Sequence, residues 1–114
     1  MGMNRREFIR KYKETPRPAG VYRVHHIPSG WTLLGGSPDA PAMLNRIRAQ
    51  LRMQSHLNRQ LQEDWNSDGP DGFLFEVLDL LTPPESPEYD PREDLQVLEE
   101  LWREKLELDS EDTY

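Results

Sequence analysis

Arginine carries much of the polar chemistry in the first half of this chain. Arg46, Arg48 and Arg52 fall within residues 40–54, and Arg10 and Lys11 fall beside Arg5 and Arg6 near the start. Guanidinium and ammonium groups at this density suit phosphate oxygens, which they neutralise while displacing counterions. Residues 1–59 hold 11 of the 14 Lys and Arg and only the acids Glu7, Glu14 and Asp39, a local charge of +8. Residues 60–114 carry −15, which brings the whole to −7. One half can therefore track a phosphate backbone while the other faces away or holds a metal, although a solvated surface with a polar gradient would have the same composition. His25 and His26 add two groups that titrate near neutral pH, and strand alternation puts His26 on the face of Tyr22 and Val24. A histidine there can act as general base or metal ligand; the simpler reading is a half-exposed strand-end histidine beside a turn. Cysteine is absent, which removes disulfides, thiolate zinc sites and thiol nucleophiles and leaves the chemistry to O and N groups.

Few elements are available to position these groups, since 114 residues suffice for one domain with a modest core. Residues 4–14 place Phe8, Ile9 and Tyr12 at helical spacing, with Asn4 as cap and Glu7 three residues on, and Pro16 and Pro18 stop the pattern. Residues 20–27 form a strand rich in β-branched and aromatic residues, Pro28-Ser29-Gly30 a turn, and residues 31–36 a second strand that makes a hairpin and ends in Gly35-Gly36. Ser37 or Asp39 then caps a helix over 40–54 built on Met43, Leu44, Ile47 and Leu51. His56 and Asn58 suit the cap of a second helix, which carries Leu61 and Trp65 over 59–66 and closes at Ser67-Asp68-Gly69-Pro70. A third strand over 73–79, a proline-rich loop at 83–87 and an amphipathic helix over 91–106 on Leu95, Leu98, Leu101 and Trp102 complete the order. Trp31, Trp65 and Trp102 are read as core rather than as stacking platforms, Trp31 being the most exposed of the three to doubt from its place beside the turn. The acidic tail 107–114 is expected to fray. The pattern predicts an α/β layer architecture, with the third strand joining the hairpin in a small sheet that carries helices. No apolar run approaches the roughly 20 residues of a spanning helix, and residues 1–6 lack the apolar stretch of a signal peptide, so a soluble cytoplasmic protein without membrane contact is expected.

Gly20-Val21-Tyr22 followed by Leu33-Leu34-Gly35-Gly36-Ser37 resembles the paired motif of the GIY-YIG nucleases. The downstream stretch from Leu51-Arg52 through His56-Leu57-Asn58 and Leu61-Gln62 to Trp65-Asn66, then Gly69 and residues 73–79, is similar to that family in the same register. The resemblance covers about residues 19–103 and is closest to intron-type endonuclease domains and small stand-alone bacterial proteins. It implies an α+β fold, a three-stranded antiparallel sheet flanked by helices, in a domain over 19–106, preceded by a basic helix and proline linker at 1–18 and followed by the tail 107–114. The reaction it implies is one-metal hydrolysis of a phosphodiester, with Mg²⁺ or Mn²⁺ on a carboxylate.

Carried over residue by residue, the resemblance assigns Tyr22 to the first motif tyrosine, beside the attacking water. The second motif tyrosine falls on Leu33, which has no hydroxyl, and the family arginine falls on Met43, which has no guanidinium. Arg46, three residues after Met43, could swing a cation back toward the phosphate, or could simply solvate the helix with Arg48 and Arg52. Glu99 precedes Trp102 by three residues and so matches the metal-binding glutamate, while the asparagine that closes many relatives' sites has no counterpart after Leu106. The expected catalytic set is Tyr22, Arg46 and Glu99, with Glu99 as metal ligand. The expected nucleic-acid contacts, DNA foremost, are Arg46, Arg48, Arg52, Arg10 and Lys11. The expected function is a divergent metal-dependent DNA endonuclease, or alternatively an inactive nucleic-acid or protein binding module of the same fold.

Overall fold

A computed structural model describes residues 18–82 and 90–114 of the chain. The expected helix over 4–14, with Arg10 and Lys11, and the proline-rich loop lie outside the described residues. Strands β1 (Gly20–His26), β2 (Thr32–Ser37) and β3 (Phe73–Leu80) form one sheet in the order β2-β1-β3, and both pairings are antiparallel. Helix α1 (Ala40–Arg52) and helix α2 (Arg59–Asp68) separate β2 from β3, and α3 (Arg92–Lys105) follows β3. The architecture is the expected α+β arrangement of a three-stranded antiparallel sheet with three helices. Among the described residues no helix is long and apolar enough to cross a membrane.

The core follows from strand alternation. Tyr22 and Val24 share a face with Phe73, and against it close Leu44, Ile47 and Leu51 of α1 and Leu61 and Trp65 of α2. Leu44, Ile47 and Leu51 recur at helical spacing, so one stripe of α1 enters the core. Both helices begin at side-chain caps. The Asp39 carboxylate accepts from the Ala42 N–H at 3.2 Å, and Ser37 Oγ accepts from the Asp39 N–H at 3.0 Å. Asn58 Oδ1 accepts from the Leu61 N–H at 3.1 Å, while His56 Nδ1 accepts from the Asn58 N–H at 3.0 Å and fixes the cap residue. On the other face of the sheet Arg23 and its cross-strand partner Glu76 form an ion pair at 2.9 Å.

Helix α3 crosses the end of the sheet where β1 begins and β2 and β3 finish. Leu95, in its first turn, packs on Gly36 of β2, and Trp102 Nε1 donates to Asp79 Oδ2 of β3 at 3.2 Å. The middle of the helix therefore passes the start of β1.

Two expectations at the opposite end need correction. His26 is 4% exposed rather than half exposed. Its ring packs 4.8 Å from that of Phe73, with Ser29 Oγ 2.6 Å from Nδ1 and Asp68 Oδ2 2.6 Å from Nε2. A buried imidazole must satisfy both nitrogens, and the turn at Ser29 and the last residue of α2 do so. The tail is docked rather than frayed. The Thr32 N–H donates to the Asp112 carbonyl at 2.8 Å and the Tyr114 N–H to the Thr32 carbonyl at 3.1 Å, so that Thr113 forms a parallel bridge beside β2. The Tyr114 ring meets Trp31 edge-on at 5.4 Å, and its hydroxyl donates to Asp64 Oδ2 at 2.5 Å, close to His26 Nδ1 at 3.7 Å from the same oxygen. Glu107 adopts φ +54°, the left-handed turn that sends the chain back from α3.

Replacing His26 with Ala leaves Asp68 and Ser29 without their buried partner and opens a void beside Phe73. We expect a loss of about 2 kcal/mol or more in denaturant unfolding, with faster amide exchange at Thr32 and Tyr114. Unchanged exchange at those two amides would show that the tail is held independently of His26.

Candidate active site

Tyr22 lies directly across from Gly35 in the β1–β2 pairing. A Cβ on Gly35 would stand 2.5 Å from the Tyr22 hydroxyl oxygen, so the aromatic ring lies over the bare backbone of residue 35. Any side chain there would displace the ring. Tyr22 is only 9% exposed, and its hydroxyl titrates above the ordinary 10.0, first because burial disfavours the phenolate and then because Glu99 contributes negative charge. The Glu99 carboxylate on α3 is thus within electrostatic reach of the Tyr22 hydroxyl on β1. That reach is a consequence of α3 crossing the sheet end between Leu95 on β2 and Trp102 on β3.

Glu99 is half-buried, and Arg103, one helical turn on, holds Nη2 3.4 Å from Glu99 Oε1. Gln96, Glu100 and these two residues line an open groove of about 300 Å³. Sequence reading singled out Glu99 and missed Arg103, although an acid followed four residues later by a cation is a helix-face pairing visible in the sequence.

The remaining expected residues are distributed differently. Leu33 and Met43 pack against the core that contains Tyr22, so the positions without hydroxyl and guanidinium are filled with hydrocarbon. Arg46 is exposed, and no described hydrogen bond or ion pair joins it to Tyr22 or Glu99. Arg48 lies with its guanidinium carbon 4.5 Å from the centre of the Phe75 ring, a cation–π contact that fixes it against β3. Arg52 is exposed in the last turn of α1. Arg46 and Arg48 are two residues apart and so project from different sides of the helix. Neither strand histidine serves Tyr22. His26 is occupied by Ser29 and Asp68, and His25 Nδ1 lies 2.9 Å from Thr32 Oγ1, with its pKa lowered by burial and by Arg23.

No family model and no curated protein matches the chain. Solved structures do. The catalytic domain of intron endonuclease I-TevI, in a glutamate-to-alanine mutant, superposes with a TM-score of 0.65 at 18% identity, covering 85% of this chain and 91% of that one. A second structure, of the catalytic domain of homing endonuclease I-TevI, gives 0.63 at 19% identity over 84% and 95%. The chain has a GIY-YIG-like fold. The two expected site residues whose charges the fold brings into interaction are Tyr22 and Glu99.

Among the described residues no three His, Asp or Glu side chains converge as a metal cage. A single half-buried carboxylate on the rim of an open groove, already paired with a cation, is a donor set that fits Mg²⁺ or Mn²⁺, ions that keep several waters and use one or two carboxylates together with phosphate oxygens.

Glu99→Gln should lower the Tyr22 pKa without returning it to 10.0, because burial, the larger cause, persists. An NMR titration of ring-labelled tyrosine reads this directly, and an unchanged value would separate the two groups. The sign for stability follows from linkage. A hydroxyl raised in the folded state stabilises the fold below pH 10.0 and ceases to do so as pH climbs through the folded pKa, so alkaline solution should weaken the fold.

Proposed function

We propose that the protein is a divergent GIY-YIG-type endonuclease that hydrolyses DNA phosphodiester bonds with a divalent metal. The observation that carries this reading is the crossing of α3, which carries Glu99, over the end of the sheet where β1 holds Tyr22 against Gly35, and the Glu99 charge helps to raise the Tyr22 pKa. Glu99 would hold Mg²⁺ or Mn²⁺, and that ion would polarise a phosphate oxygen and make bound water more acidic. GIY-YIG nucleases generally use divalent metals. Tyr22, kept neutral by burial and by Glu99, can donate or accept one hydrogen bond and so orient an attacking water. Its ring is held between Gly35 of β2 and the core side chains packed around it. That restraint favours a fixed direction of attack. Arg46 and Arg52, exposed on α1, together with Arg48, Arg10 and Lys11, would contact the backbone of the nucleic acid and make its binding sensitive to salt.

A second reading has its own support. Leu33 and Met43 are hydrocarbon packed against the core where a nuclease of this kind has a hydroxyl and a guanidinium. A binding module of the same fold would tolerate both.

Plasmid nicking in Mn²⁺, Mg²⁺ or EDTA distinguishes the readings. We expect nicking that needs the metal and disappears in Glu99→Ala, and a rise of about a hundredfold in Leu33→Tyr/Met43→Arg, which restores two groups acting on charge in the transition state. Salt-sensitive DNA binding by a restored variant that folds but never cuts would replace the nuclease reading with the binding module. Nicking that survives EDTA would remove the metal from it.

A further inference from the structure

Hydrolysis of a phosphodiester beside Glu99 presents an electrostatic difficulty. The groove that Glu99 lines also holds Glu100, and the same helix carries Glu93, Asp94 and Glu104. An anionic phosphate entering there is repelled, and the negative charge grows as water adds to phosphorus. Met43 is packed against the core and offers no charge, and Arg46 is not joined to Glu99 by any described contact. Among the described residues Arg103 is the one cation that lines the groove. Its position follows from helical geometry, because residues 95, 99 and 103 succeed one another at four-residue intervals along one side of α3. Leu95 at the head of that row is pressed on Gly36. The row thus runs from the contact with β2 through Glu99 to Arg103.

The Arg103–Glu99 contact is long, at 3.4 Å, and both side chains reach solvent, Arg103 at 40% and Glu99 at 29%. Such a pair is weak and readily exchanged. A guanidinium in that place occupies the cation position of the carboxylate, and when the carboxylate takes a divalent ion the like charge drives the guanidinium off. A single turn of its side-chain torsions would then present a planar fork to non-bridging phosphate oxygens across the same groove.

We propose that Arg103 is the phosphate-neutralising cation of this site. It holds Glu99 in the metal-free protein and turns to the phosphate when the carboxylate is engaged. The inference rests on the nuclease reading above. In the reaction, the water oxygen bonds to phosphorus and gives up a proton to solvent, the bond to the leaving ester oxygen breaks and that oxygen takes a proton from solvent, while Arg103 keeps all its protons and acts through charge.

Two effects of opposite sign follow, and a merely structural helix pair would produce only the first. Arg103→Gln in the full chain should bind Mn²⁺ at least about twofold more tightly, read from the free-ion electron paramagnetic resonance signal, because the competing cation is gone. The same variant should nick plasmid about a hundredfold more slowly. Arg103→Lys should retain part of the rate. Met43→Arg added to Arg103→Gln should recover it by returning a guanidinium from α1. Tighter Mn²⁺ binding with undiminished cleavage would overturn the proposal, as would unchanged Mn²⁺ affinity. A wild-type chain that cuts while Arg103→Gln cuts equally overturns this inference alone. A wild-type chain that neither cuts nor loses Mn²⁺ binding on Glu99→Gln overturns the nuclease reading and this inference with it.

Discussion

Two successive residues without side chains, Gly35 and Gly36, let an aromatic ring and a helix both approach β2 closely. Strand alternation turns them to opposite faces of β2. The Tyr22 ring lies over the first, and Leu95 of α3 is pressed on the second, with Leu95 Cβ 3.3 Å from where a Gly36 Cβ would stand. Each contact is a close approach that a methyl group would disturb: the first keeps the Tyr22 ring against β2, and the second brings α3 onto the sheet. The charge of Glu99 reaches the Tyr22 hydroxyl and adds to the effect of burial in raising its pKa. Glycine inside a strand weakens it, by lost packing and added chain entropy. Here the weakness is offset by an aromatic ring on one side and a helix on the other.

The electrostatics of the site belong to the acidic half of the chain. Glu99 sits among other acids on α3, and the arginines of α1 are spent in different ways, Arg48 against Phe75 and Arg46 and Arg52 in solvent. Surface charges further apart than about 10 Å are largely screened at ordinary salt. The chain's overall charge of −7 therefore says little about what a phosphate meets at Glu99. Among the described residues what lines that groove is Gln96, Glu99, Glu100 and Arg103, which makes the one cation of the set consequential.

Local pattern made most of the fold legible. The three strands and three helices fall within a residue or two of their expected bounds, since caps such as Asp39 and Asn58 and the Gly69 stop act through neighbours in sequence. The places of Tyr22 on the first strand and Glu99 on the last helix were legible from the same patterns. His26 was not, because its burial depends on Asp68, 42 residues away, and on a turn serine whose partner sequence alone does not reveal. The docking of the tail was hidden for the same reason: Thr113 and Tyr114 are polar or amphipathic, and only Thr32, Asp64 and Trp31 give them somewhere to go. Arg103 was hidden differently. Its spacing from Glu99 was in plain view, but a cation one turn from an acid is so common on helices that the spacing carries meaning only once the groove beside it is known.

The bridge at Thr32 bears on the behaviour of the protein in concentrated solution. A marginal strand of a sheet presents unpaired N–H and carbonyl groups, and another chain can extend the ladder by laying its own backbone there. Strand β2 is such a margin. By giving the Asp112 carbonyl to the Thr32 N–H and taking the Thr32 carbonyl with the Tyr114 N–H, the tail occupies the very groups at which an intermolecular ladder would begin. The segment expected to wave free in solvent instead occupies the backbone groups of the first residue of that edge.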